Sequence, residues 1–175
     1  DTLEDRLTAL PPVAEALRLN SSISAFYVGD EDGDFFLIRT LDQRVAGETL
    51  EAPPASAFAV QSIERFRNRE PRETLLFFDD QLELLERRPV QSTDFDPRER
   101  GWYLQGMASG QQTATDFYIF FTTGEVGLTF ARRLADGGGV VGADITLEDL
   151  ESGVSRERIT PSTRIAISDR TGRVI

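Results

Sequence analysis

No cysteine, histidine or lysine occurs in this chain of 175 residues, and tryptophan and methionine occur once each. Without cysteine there are no disulfides, no thiolate nucleophile and no thiolate metal site. Without histidine the commonest metal ligand and the usual general base are missing. Any catalysis would rest on carboxylates, serine or tyrosine, and neither a metal nor a cofactor is expected. The lack of cysteine leaves the compartment open, because many periplasmic domains have no disulfides either. No run approaches the roughly 18 to 20 apolar residues of a membrane span, and no leader pattern opens the chain. A membrane anchor is therefore expected outside these residues, and the start at Asp1 and the stop at Ile175 read as a piece of something longer.

What is present is acidic. Thirty Asp and Glu face 19 basic residues, all of them arginine, for a net charge of -11. A phosphate-binding face needs clustered cations, and these arginines are scattered among acids, which disfavours nucleic acid as a partner. With 39% hydrophobic and 28% charged residues, the chain can bury one good core with room for part of a second.

Leu3, Leu7 and Leu10, then Val13, Ala14 and Leu17, fall at helical spacing, so residues 1–20 are expected to form a helix kinked or broken at Pro11 and Pro12. From Ile23 to Leu41 the pattern becomes a hairpin turning at Asp30–Gly33. Strand-like runs follow at 57–66, 74–78 and 82–88. A helix capped by Asp96, with Pro97 in its first turn and Glu99 at the capping-box position, is expected to reach Ser109. Strands resume at 115–121, 125–134 and 139–145, and Thr146 to Asp149 caps a short closing helix. The Asp30–Asp34 turn places its glycine too early for a calcium loop. Gly137–Gly139 has no phosphate-binding pattern around it. Arg164 to Ile175 resembles the opening hairpin, with Asp169 and Gly172 matching Asp30 and Gly33. The expected organisation is thus an N-terminal helix over 1–20, a module over 21–155, and a linker with the start of a second module over 156–175.

Three strings stand out: Phe95 to Tyr103 (FDPRERGWY), Thr115 to Tyr118 (TDFY) and Gly138 to Leu150 (GGVVGADITLEDL). Together they resemble the double Cache sensors of bacterial receptors over roughly residues 20 to 150. That resemblance implies an α+β fold, a PAS-like antiparallel sheet flanked by helices and preceded by a long N-terminal helix. It also implies a membrane-distal, extracytoplasmic module that binds a small ligand in a membrane-anchored, homodimeric receptor. Receptors of this kind feed chemotaxis, histidine-kinase or cyclic-nucleotide outputs. The family's amino-acid-binding branch carries an aromatic-Arg-Trp-Tyr-Tyr-Asp set, which falls on Phe95, Arg100, Trp102, Tyr103, Tyr118 and Asp144. At the first position this chain has phenylalanine where that branch has tyrosine.

The residue chemistry suits such a site. A guanidinium offers a planar fork for a carboxylate, so Arg100 could hold one, or could pair with a nearby acid of the chain itself. Trp102 and Tyr103 could wall the pocket or pack the helix on the sheet. Strand alternation puts Val140, Gly142 and Asp144 on one face. A buried carboxylate there needs a partner: a ligand ammonium approaching over Gly142, or backbone amides at the Thr146 cap. The same alternation groups Asp116, Tyr118 and Phe120, making Tyr118 and Asp116 further candidates, with ordinary core as the other reading of Tyr118. A carboxylate-based enzyme and a dimerisation module with no ligand are the alternatives to a sensor.

Overall fold

The computed structural model describes residues 2–41, 46–66, 69–90 and 93–156, with isolated positions 166, 168 and 172. The expected linker, the second hairpin and the start of a second module lie outside these residues, save the three isolated positions.

The N-terminal helix is broken as the prolines require. α1 (Leu3–Leu7) is capped by Thr2, whose hydroxyl accepts from the Asp5 amide while the Asp5 carboxylate accepts from the Thr2 amide. α2 (Leu10–Leu19) begins just before Pro11 and Pro12, which sit in its first turn, where a missing N–H costs nothing. Nine strands among the described residues build one antiparallel sheet: β1 (Ala25–Asp30), β2 (Phe35–Thr40), β3 (Phe58–Glu64), β4 (Arg72–Phe78), β5 (Leu84–Val90), β6 (Thr113–Ala114), β7 (Tyr118–Ile119), β8 (Val126–Arg133) and β9 (Gly139–Thr146). Their spatial order is β5-β4-β3-β2-β1-β9-β8-β6, with β7 also on β8. A short α3 (Ala46–Thr49) follows β2, and α5 (Leu147–Arg156) closes the described chain, the Thr146 hydroxyl accepting from the Asp149 amide. The first hairpin turns where expected. Asp30 Oδ1 accepts from the Asp32 and Asp34 amides, and Gly33 takes φ 88°.

Strand alternation divides the core. One face of the sheet sets Phe36, Ile38, Phe58, Val60, Leu76 and Phe78 against Leu3, Leu10, Ala14 and Leu17 of the N-terminal helices. The other sets Tyr27, Phe35, Leu37 and Ile63 against Phe95, Trp102 and Tyr103. Further along that second face, Leu41, Leu50, Ala59, Leu75 and Phe77 form a separate apolar patch. Between the two patches the face carries polar side chains at core positions, Arg39 and Gln61, cross-strand from Ala59 and Leu37.

Two expectations need correction. The helix predicted from Asp96 to Ser109 is two pieces. Asp96 caps a single 3-10 turn, Pro97–Glu99, with its carboxylate accepting from the Arg98 amide. Arg100 then turns extended at φ -85°, ψ 142° before α4 (Gly101–Ala108). The strand predicted over 115–121 is likewise interrupted. Ala114 pairs with Phe130 but Tyr118 with Gly127, an advance of four residues against three on β8. This one-residue slip is a bulge.

Candidate ligand-binding site

The corner from Phe95 to Trp102 is built from its first residues upward. Asp96 takes two hydrogen bonds from the Arg98 side chain, from Nε at 3.0 Å and Nη2 at 2.7 Å, and these hold its carboxyl below the usual carboxylate range. Arg65 ties this corner to the β1–β2 turn, donating to the carbonyls of Phe95 (2.7 Å) and Gly33 (2.9 Å). Asp96, Pro97 and Arg98 are thus scaffold. The extended break at Arg100 then aims its guanidinium between two rings, 5.6 Å from the centroid of Phe95 and 5.2 Å from that of Phe121. Arg100 has no ion pair among the described residues. Phe95 is itself fixed against Phe35, centroids 4.6 Å apart, and Trp102 stands edge-on to Tyr27 at 4.8 Å.

Asp144 is 6% exposed and sits on the same face as Val140 and Gly142, as alternation requires. Its partners are neither backbone amides of the Thr146 cap nor a nearby cation in contact. Tyr27 Oη and Thr129 Oγ1 lie 2.6 Å from Oδ1 and donate to it, and Tyr118 Oη reaches Thr129 Oγ1 at 2.6 Å. Burial pushes the Asp144 carboxyl up to about 6, against the two hydroxyls and the charge of Arg39, which pull it down. Burial and the nearby Asp144 charge push Tyr118 up to about 12. The same two causes carry Tyr27 well above its ordinary value. Both phenols therefore stay protonated as donors.

The space over Gly142 is filled by protein. A Cβ there would lie 2.2 Å from Tyr27 Cε2, because Tyr27 pairs directly with Gly142 and lays its ring across it. Glycine thus serves the Tyr27–Asp144 bond instead of leaving a ligand channel. Gly142→Ala should push the ring aside at a cost of about 1–3 kcal/mol. The expected outcome is a lower melting temperature and a Tyr27 phenol that ionises closer to its ordinary value, read by ultraviolet titration. An unchanged phenol titration would mean that the bond does not depend on glycine.

Arg100, Trp102, Phe95, Tyr118 and Asp144 line one small cavity together with Tyr27, Arg39, Phe120 and Thr122. Its volume is about 40 Å³, room for a water or so. A second cavity of about 250 Å³ shares Arg100, Trp102 and Tyr118 and continues past Gln105, Thr115, Asp116 and Phe117.

No family model matches the sequence. Adenylate cyclase 1 of Rhizobium meliloti (strain 1021) is 32% identical over 178 residues, covering 100% of this chain and 26% of that protein. The methyl-accepting chemotaxis protein McpB of Bacillus subtilis (strain 168) is 44% identical over 57 residues, 32% of this chain and 9% of that one. The chain therefore spans about a quarter of the cyclase's length and under a tenth of McpB's. Among solved structures, the ligand-binding domain of the Campylobacter jejuni chemoreceptor Tlp3 in complex with L-valine aligns with a TM-score of 0.55 at 17% identity, covering 99% of this chain and 52% of that one. A further structure of the Tlp3 sensory domain gives 0.53 at 18% identity, over 99% and 53%. The fold is that of a Cache sensor domain.

On this Cache fold five of the seven sequence-derived candidates, Phe95, Arg100, Trp102, Tyr118 and Asp144, meet at one cavity. The other two do not. Tyr103 is buried beside Trp102, and its hydroxyl feels Asp30, Glu31 and Arg98, so it packs toward the first hairpin and lines neither cavity. Asp116 borders only the larger one. Tyr118 lines that larger cavity too, but it is Thr115 and Tyr118 that the bulge brings onto Thr129: Thr115 Oγ1 accepts from the Thr129 amide and Tyr118 Oη meets the Thr129 hydroxyl. Sequence reasoning missed Tyr27, Thr129 and Arg39. Arg39 did carry a signal, since alternation from Phe35 and Leu37 places it on their core-facing side.

Proposed function

We propose that this chain is the extracytoplasmic, periplasmic ligand-binding part of a membrane-anchored, homodimeric bacterial receptor, and that its ligand is an α-amino acid. The observation that carries this reading is one cavity lined by both Arg100, a guanidinium with no ion pair among the described residues, and a buried carboxylate, Asp144. Their opposite charges fit a zwitterion. Arg100 would take the ligand carboxylate through its planar fork. Asp144, with both of its described hydrogen bonds on Oδ1, would take the ammonium on its other oxygen. Trp102 and Tyr118 would enclose the Cα. Tlp3, of the same fold, is described in complex with L-valine, and with isoleucine in another structure. A cyclase matches this chain along its whole length and a chemotaxis protein matches 57 residues of it, which supports an input role common to receptors with different outputs.

A volume of about 40 Å³ is too small for an amino acid. Admission requires the segment from Tyr118 to Thr122 to move outward and join the two cavities. Closure over the ligand would then favour one receptor conformation by its differential affinity for the two. The test is a thermal-shift screen against the amino acids, followed by calorimetry on the hits with Asp144→Ala. Stabilisation by at least one amino acid, lost in the variant, is the expected result. Binding that the variant leaves intact would move the site elsewhere.

A further inference from the structure

Arg39 is the one strongly buried cation at the cavity. It is 3% exposed, and its Nε has no hydrogen-bond partner among the described residues. Its Nη2 stands 3.8 Å from Glu125 Oε2, a long ion pair that reaches in from the turn between β7 and β8. Gln61, its polar neighbour on the face, is committed elsewhere. Its Nε2 donates to Glu73 at 2.8 Å and its Oε1 accepts from Thr122 at 3.3 Å. A buried N–H left unsatisfied is costly, and a site holding one selects ligands that satisfy it.

Resting on the reading above, we infer that Arg39 reads the ligand's side chain, and that the site takes an α-amino acid whose side chain ends in a neutral hydrogen-bond acceptor, a carboxamide. Charge decides between acceptors. Arg100 and Asp144 neutralise the zwitterion's two ends, and Glu125 already faces Arg39, with Glu73 further along behind Gln61. A side-chain carboxylate would add an uncompensated negative charge beside Glu125. An amide oxygen supplies the acceptor for Nε and adds none. An aliphatic side chain of the same shape would leave Nε unpaired.

The experiment is calorimetric titration of the whole domain with L-asparagine and L-glutamine, with their near-isosteres L-leucine and L-methionine, and with L-aspartate and L-glutamate. The tighter amide should bind about tenfold or more above its aliphatic counterpart, and above its acid. Arg39→Met should erase the preference of amide over aliphatic. Glu125→Gln, on the covering turn, should leave amide binding in place and strengthen binding of the acid several-fold, which keeps the inference testable if Arg39→Met does not fold. Leucine binding as tightly as asparagine, with loss on Asp144→Ala, would overturn the role of Arg39 and leave the amino-acid site standing. An acid binding more tightly than its amide would overturn the neutral class. No binding of any amino acid would overturn both readings.

Discussion

Replacing Asp144 by asparagine is expected to raise the melting temperature, relative to the unsubstituted domain, by roughly 4–8 °C more at pH 7 than at pH 4, while removing amino-acid binding. The carboxyl is pushed from 3.8 up to about 6 in the folded chain, burial being the largest cause. A raised folded value means that the native state holds the proton more tightly than the unfolded chain does. The stability this contributes is fully present below about 3.8, and is lost as the pH rises to about 6 and beyond. Over that window the loss is ~3 kcal/mol, about 2 of it between pH 4 and 7. Asparagine does not titrate, so its gap from the parent should widen with pH by that amount. The amide oxygen still accepts from Tyr27 and Thr129, which keeps the fold, but an uncharged group cannot neutralise a ligand ammonium. A gap that stays constant across this range would mark Asp144 as an ordinary carboxylate and remove the reason to assign it a ligand charge.

Arg100→Ala should weaken amino-acid binding by about a hundredfold or more and leave the melting temperature within about 2 °C of the parent. Truncating one partner of a desolvated charge pair costs about 2–5 kcal/mol of binding. No acid among the described residues pairs with this guanidinium, whose contacts there are the rings of Phe95 and Phe121. Arg100→Lys should recover little, since an ammonium lacks the planar fork that lies between two rings and meets a carboxylate in two parallel bonds. Calorimetry on the three proteins checks this. Full recovery by lysine would show that only a point charge is needed, and a large fall in melting temperature for alanine would make Arg100 a structural residue.

The hairpin of β1 and β2 and the strands β8 and β9 were legible in the sequence because each is a short run rich in apolar residues, bounded by Gly or Asp turns. So was the face of Asp144. Phe95 to Trp102 could be read as a string but not as a geometry. Helix signals run unbroken from Asp96, and only tertiary packing turns Arg100 out of the helix, with Pro97 against β1 and the guanidinium between two rings. The segment from Thr115 to Phe121 looks like a single strand by composition. The bulge against β8 is a matter of register, which no local pattern specifies, and it decides that Tyr118 faces Thr129 and Asp116 does not. Tyr27 and Thr129 were invisible as partners of Asp144 for the same reason. Their convergence comes from pairing across three strands, residues 27, 129 and 144 being far apart in the chain.

The assignment of one ligand end to each charge is tested most directly from the ligand's side. The best-binding amino acid is titrated calorimetrically beside two analogues, one lacking only the α-ammonium and one lacking only the α-carboxylate. Each analogue should bind about a hundredfold or more weakly than the parent, with the ammonium-free analogue indifferent to Asp144→Ala and the carboxylate-free analogue indifferent to Arg100→Ala. Either analogue binding within about threefold of the parent amino acid would contradict the account.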